Sequence, residues 1–338
     1  MIEFITLAVI LASFYIAWNV GSNDTANAMG TAVGARILSY RRAVTLLIIF
    51  VAIGAALEGY KVMKPVGEGL ITGAPESDSP LKEFPTAVVI AMVCAGVFVT
   101  LSTKLGLPVS THQAIIGALA GAGIAMGMFS GIVTNVNWGK FITIVGAWVI
   151  TPLGAAFFAF LFYKIFEAPI KRVKAPEKLN LIFTLAVIAS GCYVAYVMGA
   201  NDVGTAMSAM YATGRVGGIS TTVMQQLALL GAVGVAVGAL TYSRNVMETV
   251  GMGITTLGPM SAFVAQFGAA LTVHLFTQWG LPVSTSQAIV GGVAGAGLVR
   301  GVAAVSGRKM GQIVLAWIAT PTVSMILAFG LTSAFILV

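Results

Sequence analysis

The chain has 338 residues, of which 58% are hydrophobic and only 9% are charged. A soluble domain carries about a quarter charged residues, and the mean hydropathy of +0.97 also excludes an ordinary soluble domain. Apolar runs of about 20 residues, separated by short polar loops, are typical of a polytopic membrane protein. The net charge of +7 comes from loop Lys and Arg residues without interleaved aromatic residues, so we expect no nucleic-acid partner.

The sequence offers no candidate for catalysis or for a metal cage. Its only two cysteines, Cys94 and Cys192, lie in apolar runs, where small core residues are expected. Its two histidines, His112 and His274, are too few and too far apart in sequence to form a cage. Since there is also no nucleophile–base pair and no nucleotide-binding loop, we predict that the protein is not an enzyme.

The first apolar segment, residues 2–20, predicts a membrane-spanning helix that breaks at Gly21 and Ser22. Gly, Ser, Asn and Asp all disfavour a helix interior. Asp24 is a suitable N-cap for a new short helix over residues 25–35. A charged residue at membrane depth is costly, so this break is the first candidate for a functional site.

The rest of the first half alternates between apolar and polar segments. Residues 60–84 carry several prolines and charges of both signs, which predicts a loop. A run of lysines and one arginine over residues 166–180 predicts a cytoplasmic linker, because basic loops stay on the cytoplasmic side. Further spans are expected at residues 43–59, 85–103, 112–134 and 139–163.

Three sequence blocks occur twice in the same order. Asn23-Asp24 returns as Asn201-Asp202; Gly-Leu-Pro-Val-Ser-Thr at 106–111 returns at 280–285; Ala-Trp…Thr-Pro at 147–152 returns at 316–321. Near-identical strings do not recur in the same order by chance, so two homologous halves follow. The predicted domains are a first repeat over 1–165, the linker over 166–180 and a second repeat over 181–338.

An odd number of crossings before the linker makes the two halves inverted with respect to each other. The predicted fold class is therefore an all-α polytopic membrane protein with two inverted-topology repeats and broken helices. The Pro108 and Pro282 blocks are compatible with re-entrant hairpin tips and with loop ends, and the sequence leaves this open. With the linker in the cytoplasm, both termini are expected outside.

The repeated acidic blocks predict the cation sites. A broken helix offers free carbonyl oxygens, and the Asn and Asp side chains add further oxygens, which are ligands that suit Na⁺. Two matched copies favour function over simple helix capping. The residues predicted to hold sodium are Asn23, Asp24, Asn201 and Asp202.

The Pro-Val-Ser-Thr blocks predict the anion site. Each places hydroxyl groups at the start of a helical run, where they can cap the helix and also face a ligand. The residues predicted to bind the substrate are Ser110, Thr111, Gln113, Ser284, Thr285 and Gln287. His112, whose repeat partner is Ser286, is interpreted as a polar packing residue, and His274 and Trp148 are interpreted as packing residues too. Glu58 is compatible with an interfacial residue and with an extra cation ligand, and the interfacial position is favoured.

Neither repeated block contains Lys or Arg, so a bound anion needs cations to balance it. Two buried carboxylates and a phosphate dianion require about two or three Na⁺ ions to cancel most of their charge. We therefore expect more than one cation for each anion.

The blocks Gly-Ser-Asn-Asp-Thr-Ala-Asn-Ala at 21–28 and Gly-Ala-Asn-Asp-Val-Gly-Thr-Ala at 199–206 resemble the duplicated signature of the inorganic phosphate transporter (PiT) family. The Pro-Val-Ser-Thr strings match that family too, and the resemblance covers nearly the whole chain. It implies an inverted-repeat symporter for inorganic phosphate, driven by Na⁺ or, in some members, by H⁺. The short linker resembles that of prokaryotic members, which implies the inner (plasma) membrane.

The predicted function is therefore Na⁺-coupled symport of inorganic phosphate by alternating access, with sodium as a co-transported ion. The alternatives are a proton-coupled phosphate or sulfate transporter of the same family and, less favoured, an anion channel. The predicted partners are phosphate, sodium ions and the lipid bilayer. Analogy with other membrane transporters adds a homodimer.

Overall fold

The computed structural model describes the chain in nine stretches. These are residues 2–73, 80–105, 109–131, 134–172, 175–214, 220–244, 247, 258–299 and 307–338. Residues 106–108 of the Pro108 block lie outside the described residues, and so does the tip or loop end predicted at Pro108.

The first half is almost entirely helical. In chain order it contains α1 (Ile2–Asn23), α2 (Thr25–Gly34), α3 (Tyr40–Glu58), α4 (Tyr60–Gly69), β1 (Ile71–Thr72), α5 (Pro80–Glu83), α6 (Pro85–Lys104), α7 (Thr111–Phe129), β2 (Asn135–Val136) and α8 (Trp138–Lys171). The two strands pair antiparallel, with Ile71 opposite Val136.

The second half repeats this plan without the strands, in the part of it that the structure describes. It contains α9 (Pro176–Met198), a π-helical turn (Gly199–Val203), α10 (Gly204–Ala212), α11 (Thr221–Thr241), α12 (Pro259–Gln278), α13 (Thr285–Leu298) and α14 (Gly307–Leu337). Within the described residues, nine helical segments are long and apolar enough to cross a membrane. The predicted all-α polytopic fold is thus confirmed.

The two halves are inverted, as the pairing of α3 with its repeat equivalent α11 shows. Tyr40, at the start of α3, donates a hydrogen bond from its hydroxyl to the carbonyl oxygen of Ala239, near the end of α11 (2.8 Å). Gly59, just after α3, packs against Ala228 in the first half of α11. Equivalent helices that run antiparallel belong to repeats of opposite orientation in the membrane.

The last long helix of each half packs against the helix that follows the Pro-Val-Ser-Thr block of the other half. Helix α7 packs mainly on α14, and its counterpart α13 packs on α8. The contacts use Gly117 and Gly121 in α7 and the equivalent Gly291 and Gly295 in α13, since a Cβ at any of them would collide with a backbone carbonyl of the facing helix. Small residues four apart allow such close approach between membrane helices.

Residues 60–69 form helix α4, so the loop predicted over 60–84 is wrong for this part. Composition misled the prediction, because the helix buries one apolar face against α10 while its polar residues lie on the other side. Pro65 lacks an N–H and leaves the Lys61 carbonyl without its helical partner. That carbonyl faces Gly280, which has φ +68° and whose missing side chain makes room for it.

The helix interruptions are shorter than predicted. Gly21 and Ser22 remain helical, and the break falls on Asp24 alone, whose backbone stays in the right-handed region. In the second half, the π turn carries the chain from α9 to α10. Within the predicted linker over 166–180, α8 continues to Lys171 and α9 begins at Pro176.

Candidate functional site

Both aspartates lie buried in the middle of the molecule. Asp24 is 3% exposed between α1 and α2, and Asp202 is 1% exposed in the π turn. Asp24 does not cap α2 with its side chain, contrary to the prediction. Its carboxylate instead accepts hydrogen bonds from two other helices, so burial of its charge is supported by donors from outside its own segment.

The Pro282 block forms a buried tip between α12 and α13 and is held from two sides. Asn201 donates from Nδ2 to the Leu281 carbonyl (3.1 Å) and accepts at Oδ1 from the Val283 N–H (3.2 Å). Trp148 of α8 donates from Nε1 to the Pro282 carbonyl (3.1 Å). These bonds satisfy backbone groups that would be costly to bury unpaired, and they give Trp148 a role beyond packing.

The serine of each Ser-Thr block caps its helix. The hydroxyl oxygens of Ser110 and Ser284 accept hydrogen bonds from the N–H groups of Gln113 (3.4 Å) and Gln287 (3.3 Å). This confirms the predicted capping and fixes the N-termini of α7 and α13 beside the aspartates. The free N–H groups and positive partial charge of a helix N-terminus favour an anion at the same place.

The threonine that follows each serine contacts the aspartate of its own half. Thr111 donates from Oγ1 to Asp24 Oδ2 (3.2 Å). Thr285 donates from Oγ1 to Asp202 Oδ2 (2.9 Å). The two contacts are repeat equivalents, and they place the predicted anion residues directly against the predicted cation residues.

The next residue in each block contacts the aspartate of the other half. Ser286 donates from Oγ to Asp24 Oδ1 (2.9 Å). His112 Nε2 lies 3.4 Å from Asp202 Oδ1, close but without hydrogen-bond geometry. Because Thr285 and Ser286 are adjacent in the chain, Asp24 and Asp202 lie on either side of one two-residue segment. The carboxylates are therefore neighbours in one buried site.

Several buried oxygens of this site make no hydrogen bond within the described residues. They are Asp202 Oδ1, Gln113 Oε1 and Gln287 Oε1. Buried oxygens are normally paired, so unpaired ones on Asp202 and in the first turns of α7 and α13 call for a ligand that they can bind. Carboxylate and amide oxygens are hard ligands that suit a small cation.

The two predicted asparagines have different surroundings. Asn201 is fully buried, and both of its amide atoms are used; it also donates to Thr277 Oγ1 (2.8 Å). Asn23 is partly exposed, and its side chain makes no hydrogen bond within the described residues. Neither contacts a carboxylate through a hydrogen bond within those residues, so the structure gives Asn201 a role in holding the tip.

Three residues at the carboxylates were missed as ligands. Asn27 Nδ2 donates to Ser286 Oγ (2.7 Å) and lies 3.4 Å from Asp24 Oδ1. Asn27 is three positions after Asp24, so a helix places both on one face, and that spacing could have revealed it. Ser286 and His112 occupy the third position of the two Ser-Thr-x-Gln blocks. Ser286 donates a hydrogen bond to Asp24, and His112 lies beside the carboxylate of Asp202, so its role is not only packing.

Comparisons with known proteins show what the whole chain resembles. The sequence profile of the phosphate transporter family (PHO4) matches residues 20–181 and 165–328. The chain is 32% identical to "Putative phosphate permease TK2061" of Thermococcus kodakarensis, covering 96% of each chain. It is 25% identical to the chloroplastic inorganic phosphate transporter 2-1 of Arabidopsis thaliana, over 96% of this chain and 71% of that one.

The same likeness holds in three dimensions. The solved structure of a sodium-dependent phosphate transporter matches 99% of this chain and 100% of its own, with a TM-score of 0.86 and 25% sequence identity. Two profile matches in one chain also agree with the two repeats. The chain therefore belongs to the phosphate transporter family.

Proposed function

We propose that this chain is a Na⁺-coupled symporter of inorganic phosphate. The observation that carries the proposal is the crossed contact of the site, in which the N-termini of α7 and α13 each lie against both Asp24 and Asp202. Such a site offers carboxylates for cations and helix N-termini for an anion within one buried space. The name of the solved relative, a sodium-dependent phosphate transporter, supports the choice of ions.

The cations bind at the carboxylate oxygens of Asp24 and Asp202. The side-chain oxygens of Gln113 and Gln287, which are buried and make no hydrogen bond within the described residues, complete the proposed set. Asn23 keeps its predicted part, since its amide is not engaged, whereas Asn201 acts by holding the 281–283 tip.

Phosphate binds at the two helix N-termini. The capping hydroxyls of Ser110 and Ser284 and the hydroxyls of Thr111 and Thr285 supply donors. With Gln113 and Gln287 they form the proposed substrate set.

Charge balance in the buried site supports more than one cation for each phosphate. No Lys or Arg is among the hydrogen-bond or ion-pair partners of the two carboxylates within the described residues. A phosphate dianion beside two ionised carboxylates would be strongly unfavourable in a buried site unless cations entered with it. More than one Na⁺ therefore accompanies each phosphate.

Transport follows from the inverted repeats. The site lies where the two halves meet, so movement of one bundle against the other exposes it alternately to the two sides. The proposed orientation puts the linker in the cytoplasm and both termini outside, in the plasma membrane of a prokaryotic cell, and the basic residues of the linker support it. The homodimer stays a prediction by analogy.

Radiolabelled phosphate uptake into liposomes tests the proposal. Purified protein is reconstituted and given an inward Na⁺ gradient, or the same gradient of choline, with sulfate as competitor. The expected result is saturable phosphate uptake that requires Na⁺ and is not inhibited by sulfate. The double variant Asp24→Asn/Asp202→Asn, which keeps the side-chain size, is the matched control and should show no uptake above empty liposomes.

Other outcomes would identify the alternatives. Uptake that follows a proton gradient in choline would indicate H⁺ coupling, and strong inhibition by sulfate would indicate a sulfate transporter. Conduction that neither saturates nor concentrates phosphate would indicate a channel. One Na⁺ or fewer per phosphate, measured from paired isotope fluxes, would contradict the charge balance.

A further inference from the structure

A partly exposed polar group lies at the end of α3. We name it the Glu58 cluster: Glu58, Lys61, Tyr193, His274 and Gln278. Glu58 Oε2 accepts from His274 Nε2 (3.0 Å) and from Gln278 Nε2 (2.9 Å). Its Oε1 lies 3.4 Å from Lys61 Nζ, which also donates to Gln278 Oε1 (2.6 Å). Glu58 therefore contacts three neighbouring side chains while its own side chain stays partly exposed, and its predicted interfacial position stays a prediction.

The bonds form one continuous chain across the helices. The Tyr193 hydroxyl lies 2.7 Å from His274 Nδ1. A neutral imidazole has one donor and one acceptor nitrogen, so Tyr193 donates to Nδ1 while Nε2–H donates to Glu58. With a carboxylate and an ammonium in the chain, several of these hydrogen bonds are charge-assisted.

The Glu58 cluster joins the helices that carry the second-half site. Tyr193 lies on α9, one turn and a half before the π turn that holds Asp202. His274 and Gln278 lie on α12, directly before the tip that leads to Thr285. Glu58 and Lys61 belong to α3 and α4, and α4 packs on that tip at Gly280. Opening this end of the molecule requires these contacts to separate.

Within the described part of the chain, the repeat equivalent of this group contains only neutral bonds. We name it the Thr100 cluster: Tyr15, Trp18, Asn19, Thr100 and Thr241. The Tyr15 hydroxyl lies 2.6 Å from Thr100 Oγ1, which donates to Asn19 Oδ1 (2.8 Å). Trp18 donates from Nε1 to Thr241 Oγ1 (3.0 Å). Tyr15 corresponds to Tyr193 in the repeat, and Thr100 corresponds to His274.

The two clusters lie at opposite ends of α3. Glu58 ends the helix, whereas Thr241 lies two residues after Ala239, which accepts the hydrogen bond from Tyr40 at the start of α3. A helix of 19 residues is about 28 Å long, close to the thickness of the hydrocarbon core. Each cluster therefore lies near one mouth of a pathway through the membrane.

We propose that the Glu58 cluster is a charged latch that holds the outer mouth closed, and that the neutral Thr100 cluster holds the inner mouth less firmly. This inference rests on the alternating access proposed above. Charge-assisted hydrogen bonds are about twice as strong as neutral ones, so the resting protein favours the state that is closed outside and accessible inside. The bias is a property of this sequence, since the duplication by itself would make both mouths equal.

Distances between spin labels, measured by double electron–electron resonance, test the latch. With Cys94 and Cys192 replaced by Ala, one label pair replaces the exposed Lys64 and Trp279 beside the Glu58 cluster. The matched pair replaces the exposed Leu105 and Tyr242 beside the Thr100 cluster.

The latch predicts unequal responses. Glu58→Gln, which keeps size and polarity, should raise the ratio of open to closed outer mouths about ten-fold, as expected for the loss of one charge-assisted hydrogen bond. The control Thr100→Val should change the inner pair by about three-fold or less, since it removes a neutral bond.

Identical outer distance distributions in the parent and Glu58→Gln would overturn the latch, and so would an equal opening of the inner mouth by Thr100→Val. If Glu58→Gln elutes as aggregate in size-exclusion chromatography, His274→Gln replaces it, because Gln cannot join Glu58 to Tyr193. The measurement needs neither phosphate nor Na⁺. Failure of Na⁺-driven uptake would thus contradict the proposed function, whereas the latch is tested independently by the spin-label distances.

Discussion

Asp24 and Asp202 come from the same duplicated motif but have unequal surroundings. Asp24 uses both carboxylate oxygens, which accept from Thr111 and Ser286. Among the residues that the structure describes, Asp202 accepts one hydrogen bond, from Thr285, and its Oδ1 lies near His112 without being bonded. Duplication has preserved the threonine contacts, whereas the crossed contacts have diverged into a serine and a histidine.

Because of this difference, two equivalent carboxylates of an inverted repeat can differ in how they bind a cation. The carboxylate with fewer donors keeps more of its oxygen capacity for a cation, since each hydrogen bond occupies a lone pair. We therefore expect the Asp202 side to depend more on its remaining contacts than the Asp24 side.

The largest effect is expected from removing either charge. Asp24→Asn and Asp202→Asn should each lower the initial rate of Na⁺-driven phosphate uptake by about a hundred-fold or more, because each removes the charge that attracts a cation into the membrane interior. Initial rates of radiolabelled phosphate uptake provide the measurement. A rate close to wild type for either variant would remove that residue from the ion site.

A smaller and unequal effect is expected from the threonines. Thr285→Val should lower apparent Na⁺ affinity about ten-fold, because it removes the only hydrogen bond to Asp202 within the described residues. Thr111→Val, its matched control, should lower it about three-fold, since Ser286 still donates to Asp24. The Na⁺ concentration that gives half-maximal uptake is measured for both. A larger loss for Thr111→Val would reverse the comparison.

The smallest effect on transport, but a clear one on stability, is expected from the asparagines. Asn201→Ala leaves the Leu281 carbonyl and the Val283 N–H unpaired in a buried tip and should cost about 2–3 kcal/mol. Asn23→Ala, partly exposed and without hydrogen bonds within the described residues, should cost less than about 0.5 kcal/mol. Thermal unfolding in detergent gives the order, and equal melting temperatures would contradict it.

Much of the fold could be predicted because its signals are local or repeated. Apolar runs located the spans, and recurrence of the Asn-Asp and Ser-Thr blocks indicated two inverted halves. Helix α4 was missed because its apolar face is narrow and its polar residues, with Pro65, resemble a loop. Its stability comes from packing on α10, which local composition does not record.

The sequence predicted which residues form the site better than it predicted what each of them contacts. Asp24 and Asp202 could be identified because a charged side chain at membrane depth is costly. The capping serines could be identified because Ser is a preferred residue at a helix N-terminus. The crossed contacts of Ser286 and His112 depend on how two hairpin ends meet across the repeat interface. A sequence repeat shows that two blocks are equivalent but not which member of one block will face the other half.

The glycine contacts of α7 and α13 carry a consequence for how the chain assembles. Helix α7 emerges from the ribosome early, yet the surface that covers it, α14, is made last. A first half inserted alone would leave a helix lined with Gly and polar groups without its cover. The two gene halves thus depend on each other for assembly in the bilayer, and an ancestral single repeat would have had to exchange its hairpins with a second copy of itself.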